Sequence, residues 1–316
     1  MGAELDLLSP VSLTCTLSYN APMRTADVAA RLDDFFRVDA FPPADFAEIV
    51  LFCEEACIPL AEYATPTFMR RHNGLMLANA YEVQAVYTVV FPSDEVISEV
   101  ERRAYMRPAL IFTHHPMDFE TSDRGLIPVS TRSLERMQDA GISLYSAHAP
   151  LDCHETVSTS RALARAVGVP AEHTFAEYHG GHAGVWGEIE PTPLDDFIDR
   201  VGEACEVERI DAKRTSDTVQ RVAVCAGGAA FPGIMQEAIE LGCDTYVTGD
   251  YQVRHGGPWA EDHRPEFDAF VAQAPLNLIG GSHYATESLV LRTDVIDLFR
   301  TLDFDAEFVS QSDPWR

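Results

Sequence analysis

The first half of the chain contains Leu110-Ile111-Phe112-Thr113-His114-His115-Pro116, an apolar run that ends in two histidines and a proline. Residues 109–113 are predicted to form a strand. Adjacent side chains on a strand point to opposite faces, so both histidines can serve one site only where the chain leaves the strand. Pro116 supplies that exit because it ends strand pairing. Ligands of open α/β sheets gather at such carboxyl ends of strands, although a histidine pair alone also fits an ordinary loop.

Strands and helices alternate along most of the chain, which is the pattern of an α/β fold with a parallel or mixed sheet. The predicted strands are 85–90, 109–113, 143–147, 221–225, 245–248 and 276–280. The predicted helices between them are 94–105, 131–140, 158–167, 232–241 and 264–272. Residues 172–190, rich in His and Gly, are predicted to be a loop with a short strand. Residues 1–45 are expected to be peripheral, with a short helix to residue 36 and a second helix over 45–57.

The two halves of the chain repeat the same order of elements. Residues 84–152 end in His148-Ala-Pro-Leu-Asp152, and residues 220–287 end in His283-Tyr-Ala-Thr-Glu287. We interpret this as a duplication, although chance recurrence of α/β units is an alternative. The predicted organisation is an N-terminal extension (1–50), a first α/β lobe (51–170) and a second α/β lobe (171–316).

Further candidate ligands lie near the ends of predicted strands. His148 and Asp152 can share a face, with one binding a metal and the other orienting it. Asp152 also suits the start of the next helix, as an N-cap. His283 and Glu287 lie four residues apart, on one face if a helix starts at residue 284, which would make them a workable pair of metal ligands. Ser282 followed by a Glu also fits a plain helix start.

The composition is strongly acidic, with 50 Asp and Glu against 23 Lys and Arg and a formal net charge of -27. Such a surface repels phosphate backbones, so binding to nucleic acid through charge is not expected. Lys213 is the only lysine. Acid excess with almost no lysine suggests halophilic adaptation to a salty cytoplasm. A GC-rich genome that encodes Arg in place of Lys is an equally open explanation.

The seven cysteines include no Cys-x-x-Cys pair, and residues 1–10 carry Glu4 and Asp6 without a basic run. Neither a disulfide framework nor a signal peptide is therefore predicted. No apolar run approaches the ~18 residues that span a bilayer. We expect a cytoplasmic protein that does not associate with membranes.

Four motifs occur in a fixed order that is highly specific in combination. They are Ile111-Phe-Thr-His-His-Pro116, Leu144-Tyr-Ser-Ala-His-Ala-Pro-Leu-Asp152, Tyr246-Val-Thr-Gly-Asp250 and Gly281-Ser-His-Tyr-Ala-Thr-Glu287. This set resembles the Nif-three-like dinuclear metal family, also known as GTP cyclohydrolase I type 2 homologues. The resemblance covers roughly residues 55–305, including Asn73-Gly74-Leu75 and Gly181-His182-Ala183-Gly184. It implies two α/β lobes with mixed sheets flanked by helices, a metal site where the lobes meet, and a homohexamer. The metal ligands that it implies are His114, His115, Asp152, His283 and Glu287.

Two positions depart from the family pattern. An acidic residue usually precedes the Asn-Gly-Leu motif, where this chain has His72. An Asp usually lies in the turn after the first strand, where this chain has Phe91-Pro92-Ser93. Neither position is an implied ligand, so the expected metal site is unaffected, whereas the substrate preference is less defined.

A mixed set of imidazoles and carboxylates suits Zn, Fe or Mn better than Ca or Mg. We expect two divalent ions about 3.5–4 Å apart, bridged by a carboxylate such as Glu287, with a water or hydroxide as nucleophile. This predicts a hydrolase that acts on a nucleotide or a related phosphate or ring-amide substrate, with the GTP cyclohydrolase reaction as one form. The alternatives are a metal-binding regulatory or interaction protein without turnover, and redox use of the metal pair.

Asp250 and His255 are expected beside the site, where either can transfer protons, and His148 is expected to orient a ligand. A turn Asp and a surface His are equally open interpretations of the first two. The Gly-rich residues 226–230 could receive a phosphate on their backbone amides. Because the P-loop lysine is missing, close backbone packing is the preferred interpretation.

Overall fold

The computed structural model describes residues 22–120 and 125–315. The strands in these ranges are β1 (Met23–Arg24), β2 (Gly74–Leu77), β3 (Glu82–Val83), β4 (Ala85–Val89), β5 (Ala109–Thr113), β6 (Asp118–Phe119), β7 (Leu126–Ile127), β8 (Ile142–Ser146), β9 (His173–Tyr178), β10 (Gly181–Pro193), β11 (Asp211–Lys213), β12 (Thr218–Cys225), β13 (Thr245–Thr248), β14 (Asn277–Gly280) and β15 (Ala306–Phe308). The predictions for residues 1–10 and for Cys15 lie outside the described residues.

The helices in the same ranges are α1 (Thr25–Phe35), α2 (Ile49–Glu55), α3 (Leu60–Tyr63), α4 (Phe68–Arg71), α5 (Asp94–Ala104), α6 (Thr131–Ala140), α7 (Ala149–Asp152), α8 (Thr159–Ala166), α9 (Leu194–Cys205), α10 (Pro232–Glu240), α11 (Pro258–Gln273), α12 (His283–Arg292) and α13 (Asp294–Thr301). A 3₁₀ turn covers Val38–Ala40. None of the helices in the described ranges has the length and apolar character needed to cross a membrane.

Two mixed sheets organise the fold. One has the strand order β15-β4-β5-β8-β2 and the other β11-β14-β13-β12-β10-β9. Three parallel strands form the centre of each, β4-β5-β8 in the first and β12-β13-β14 in the second. An antiparallel strand flanks each trio, β2 on β8 and β11 on β14. The predicted mixed α/β fold, with its six parallel strands at the predicted places, is confirmed.

The layers follow from the alternation of side chains along each strand. Leu110 and Phe112 of β5 point into the core between the two sheets, together with α1, α8, α9, α12 and α13. Ala109 and Ile111 point to the opposite side, where α5 and α6 pack. The outer face of the second sheet is covered by α10 and α11. Because these strands are buried on both faces, their sequences are continuous apolar runs.

The expectation that residues before 45 are peripheral was wrong for the described part. Val28 and Leu32 of α1 are fully buried in the core between the sheets. The helix predicted over 45–57 is also shorter, because α2 begins at Ile49 and Asp45 lies in the preceding turn. That turn carries Asp45 into the interior, where the carboxylate is only 1% exposed.

The prediction for residues 172–190 was wrong as well. Here β9 and β10 form an antiparallel hairpin, and β10 continues along β12 through residue 193. The sequence prediction also missed α9, which follows directly, and it placed the start of α11 too late. Pro265 lies inside α11, where a proline normally argues against a continuing helix.

Candidate metal centre

The histidine pair lies at the carboxyl end of β5, where the backbone amides of both residues still pair with the β4 side. His114 is completely buried, and its Nδ1 donates a hydrogen bond to the carbonyl of Ala147 at 3.0 Å. This bond directs Nε2 of His114 into the site, where it has no hydrogen-bond partner among the described residues. His115 is held in place by a stacked Phe91 ring, with 4.4 Å between the ring centroids. Phe91 is one of the departures from the family pattern.

His283 and Glu287 lie one turn apart on α12, as predicted. Ser282 caps this helix by accepting a hydrogen bond from the amide of Ala285. His283 Nε2 lies 2.9 Å from Glu287 Oε1. The other carboxylate oxygen, Oε2, lies 2.9 Å from His115 Nε2. Helix α12 therefore brings the predicted ligand pair directly against the histidines that follow β5.

Glu287 and His283 pack against the Gly-rich turn after β12. A Cβ on Gly227, which has a φ of 78°, would lie 2.2 Å from Glu287 Oε1, and one on Gly228 would lie 3.1 Å from His283 Nδ1. The amide of Gly227 donates to Thr286 Oγ1 at 3.0 Å. Glycine at these positions thus makes room for the two side chains, which supports close packing as the role of the turn.

Asp152 and His148 complete the cluster from the first half of the chain. Asp152 Oδ1 lies 3.5 Å from His114 Nε2 and accepts a hydrogen bond from Thr159 Oγ1 at 2.6 Å. His148 Nε2 lies 3.9 Å from Asp152 Oδ2. Three ring nitrogens lie within 4.8 Å of one another, one each from His114, His115 and His148. The same holds for one side-chain nitrogen or oxygen each from His115, His283 and Glu287. His148 is therefore as close to the centre as the predicted ligands.

A carboxylate that the sequence did not indicate reaches the site from the N-terminal side. Asp45 Oδ1 accepts a hydrogen bond from His148 Nδ1 at 2.8 Å. Its Oδ2 accepts from Asn73 Nδ2 at 2.8 Å and from the amide of Ala149 at 2.9 Å. His72 binds the carbonyl of Pro43 through Nδ1 at 2.6 Å and so anchors the turn that carries Asp45.

The electrostatics of the cluster favour bound cations. Burial alone would raise the pKa of Glu287, but His283, His115 and His114 together hold it well below its usual value. Burial opposes protonation of His114, yet the Asp152 and Glu287 carboxylates outweigh it and raise its pKa to about 9. The pKa of His115 is lowered well below its usual value, mainly by burial. A metal ion that binds here would displace the proton that His114 holds, because ligands bind metals in their deprotonated form.

The residues present fit a metal. His114 Nε2 and His115 Nδ1 are buried without a hydrogen-bond partner in the described parts of the chain. His283 Nε2 is also buried, and although it lies 2.9 Å from Glu287 Oε1, the two atoms are not aligned for a hydrogen bond. Such orphaned atoms are costly unless something binds them. Imidazole nitrogens beside buried carboxylates are the donors that transition metals and zinc prefer. The buried His and Glu groups can therefore hold a metal ion.

The two predicted proton-transfer residues lie on a cavity of about 580 Å³ that His115 and His283 also line. Asp250 accepts hydrogen bonds from the amide of Gln252 at 3.0 Å and from Arg254 Nε at 3.2 Å. Burial raises the pKa of Asp250 despite these bonds. His255 donates through Nδ1 to the carbonyl of Gly256 at 2.9 Å and forms part of the cavity wall.

Together, the two mixed sheets and the buried His and carboxylate cluster define an α/β protein with a site that can hold a metal ion. The chain belongs to the Duf34/NIF3 (NGG1p interacting factor 3) family, whose model matches residues 58–314. The predicted family resemblance is thereby confirmed.

Relatives in sequence agree with this assignment, and solved structures share the fold. The chain is 30% identical over 249 residues to a GTP cyclohydrolase 1 type 2 homolog of Pyrococcus horikoshii, covering 78% of this chain and 89% of the relative. It is 27% identical to the homolog of the same name from Deinococcus radiodurans, covering 70% and 77%. The fold is similar to that of TTHA1606 from Thermus thermophilus, with a TM-score of 0.63, 20% identity and coverage of 92% and 99%. It is equally similar to that of reduced HcgD from Methanocaldococcus jannaschii, with a TM-score of 0.63, 19% identity and the same coverage.

Proposed function

We propose that this chain is a metal-dependent hydrolase that holds two divalent ions (zinc, iron or manganese) and acts on a nucleotide-type or ring-amide substrate. The observation that carries the proposal is the convergence of His114, His115, Asp152, His283 and Glu287 beside an open cavity. The names of the relatives make the GTP cyclohydrolase reaction, which releases formate from the guanine ring, the first reaction to test.

The cluster divides naturally into two ligand groups. His115 and His283 flank Glu287 and would hold one ion. His114 and Asp152, 3.5 Å apart, would hold the second, with Glu287 within 3.5 Å of His114 as the shared carboxylate. When bound, the ions would polarise the scissile bond and lower the pKa of water, which is the chemistry that hydrolysis needs.

Asp250 is the side chain best placed to move a proton at the substrate. It is 6% exposed, lies in the cavity beside His283, and has one oxygen fixed by Arg254 and Gln252. Because burial raises its pKa, its carboxyl group exchanges protons closer to neutral pH than an exposed Asp would. His255 can accept a proton only at Nε2, since Nδ1 donates to a carbonyl.

The test is formate release from guanosine and GTP, and phosphate release from a generic phosphate ester, by protein reconstituted with each of the three metals. We expect turnover that depends on metal and that falls at least about 100-fold in Asp250→Asn with metal content unchanged. Glu203→Gln, on the exposed side of α9, is the matched control and should keep full activity. A protein that binds two ions yet turns over none of these substrates would support the non-catalytic, metal-binding alternative.

A further inference from the structure

The cavity in front of the cluster has aromatic walls. Trp315 stacks on Phe119, with ring centroids 4.7 Å apart, and lies 4.6 Å from the His283 ring. Trp259 also lines the cavity and stacks on His263 at 4.5 Å and on His255 at 5.8 Å. Trp259 is 45% exposed, so part of its side chain is accessible from the cavity. Aromatic side chains in a cavity wall are surfaces against which planar rings pack.

The same cavity holds almost no free positive charge. Its lining includes one arginine, Arg254, and no lysine. The Arg254 guanidinium is already paired with Asp250, at 3.2 Å from Nε, and with Asp211. Glu48 adds an exposed carboxylate to the rim. A triphosphate entering here would meet carboxylates and no unpaired Lys or Arg among the lining residues.

The neighbouring cavity, of about 840 Å³, has the same character. It shares His115, His283 and Trp259 with the first and adds only acidic residues among its charged side chains. These are Asp152, Glu177, Glu237, Glu266 and Glu287. The Gly-rich turn offers no clear phosphate cradle either, because its first two amides donate to Ser160 and Thr286.

We propose that the site takes a planar aromatic heterocycle without a phosphate chain, as a free base or nucleoside, and selects against nucleoside triphosphates. The ring packs against the Trp315 and Trp259 side chains of the cavity wall, with its reactive edge towards His115 and His283. This inference rests on the proposed function for the reacting end and names the substrate class of the same site. Aromatic stacking supplies affinity without charge, whereas each phosphate would add repulsion in a cavity lined by carboxylates.

The experiment measures quenching of tryptophan emission by guanosine and by GTP, which share one ring and differ only in the triphosphate. Both metal-free and zinc-loaded protein are titrated, with inorganic triphosphate as a separate probe for anions drawn by the ions alone. The variants are Trp259→Leu and Trp315→Leu. Trp186→Phe is the matched control, because Trp186 stacks on His173 at 4.3 Å and lines neither cavity.

We expect guanosine to bind at least about tenfold more tightly than GTP to metal-free protein. Guanosine should also remain the tighter ligand of the two for zinc-loaded protein. Trp259→Leu and Trp315→Leu should each weaken guanosine binding about tenfold, and Trp186→Phe should leave it unchanged. Glu48→Lys places a cation on the exposed rim and should strengthen GTP binding without changing that of guanosine.

Equal or tighter binding of GTP than of guanosine by metal-free protein would overturn the proposal. Guanosine affinity that is unchanged in both tryptophan variants, or guanosine binding that is undetectable at millimolar concentration, would overturn it as well. The proposal would also fail if zinc-loaded protein alone preferred GTP and inorganic triphosphate competed with it. That result would show that the bound ions recognise the phosphates. These binding results are independent of turnover. A protein that prefers guanosine but hydrolyses nothing would disprove the proposed function and leave the ligand class standing.

Discussion

The carboxylate of Asp45 accepts a hydrogen bond from Nδ1 of His148 at 2.8 Å, across 103 residues of sequence. A carboxylate at Nδ1 fixes the orientation of the ring and leaves Nε2 directed at the proposed metal ligands, 3.9 Å from Asp152 Oδ2. His72 precedes Asn73 in this chain, and the Asn73 side chain donates a hydrogen bond to Asp45. The turn before α2 therefore supplies a carboxylate to the site that the motif itself lacks.

Replacing Asp45 should cost both stability and metal. Asp45→Ala leaves the donors of His148, Asn73 and Ala149 without an acceptor, which should lower the free energy of unfolding by roughly 3 kcal/mol. Metal content measured on the folded fraction should also fall, because His148 and its neighbours lose their fixed orientation. Asp34→Ala, an exposed carboxylate on α1, is the control and should change neither quantity. Wild-type stability and metal content in Asp45→Ala would contradict this role.

The contribution of Asp45 to stability should also depend on pH in the acid range. Burial works against ionisation of Asp45, but His148, Asn73 and the Ala149 amide outweigh it and hold the pKa below the ordinary 3.8. A carboxyl with a lowered pKa in the folded state stabilises the fold fully above pH 3.8 and loses that contribution as the pH falls further. Urea unfolding of wild type and Asp45→Asn should therefore converge below pH 3.8. A constant difference between pH 7 and pH 3 would show that the charge of Asp45 is irrelevant.

Removing a proposed ligand should reduce metal stoichiometry. Glu287→Gln and His114→Ala should each lower bound metal from two ions per chain to one or none, because Glu287 contacts three histidines and His114 lies beside both carboxylates. Elemental analysis after reconstitution measures this directly. His173→Ala, an exposed histidine on β9, should retain full metal content. Two bound ions per chain in both variants would show that Glu287 and His114 are not metal ligands.

Thermal stability should depend on salt if the acid excess is halophilic adaptation. With a net charge of -27, repulsion between surface carboxylates opposes the compact state and is screened by added KCl. The melting temperature should then rise by about 5–10 °C between low and molar KCl. Sucrose of matched osmolality stabilises proteins without screening charge, so the melting temperature should rise more in KCl than in sucrose. A flat or falling melting temperature in KCl would favour the GC-composition explanation.

The strands of the fold were predictable because burial on both faces makes them continuous apolar runs, as in residues 109–113. The hairpin of β9 and β10 was not predictable, since its Gly residues have low strand preference and β10 is held by pairing with β12, a contact distant in sequence. The helix α9 could have been found. Leu194, Phe197, Ile198 and Val201 are buried at the spacing of an amphipathic helix, directly after Pro193.

Part of the site was also predictable from the sequence and part was not. The proximity of His283 and Glu287 on α12 was predictable from their i, i+4 spacing, and the position of His114 and His115 from the end of the strand that they follow. Asp45 was not, because a single Asp in a Pro-rich turn carries no local sign that it reaches His148. The wall residues Trp259 and Trp315 also gave no signal in sequence, since only the packing of the last residues against His283 brings Trp315 to the cavity.

Metal affinity should rise with pH up to about 9. In the absence of metal, the Asp152 and Glu287 carboxylates outweigh the effect of burial and raise the pKa of His114 to about 9, so the imidazole holds a proton below that pH. A metal must displace this proton to reach Nε2, and each pH unit below 9 should therefore weaken binding about tenfold. Zinc titrations between pH 6 and 9, in buffers of different ionisation enthalpy, should also register close to one proton released per chain at pH 7. In Glu287→Gln, which lacks one of the two carboxylates, proton release should be smaller. Affinity that stays constant from pH 6 to 9, with no proton released, would show that His114 is neutral before the metal arrives.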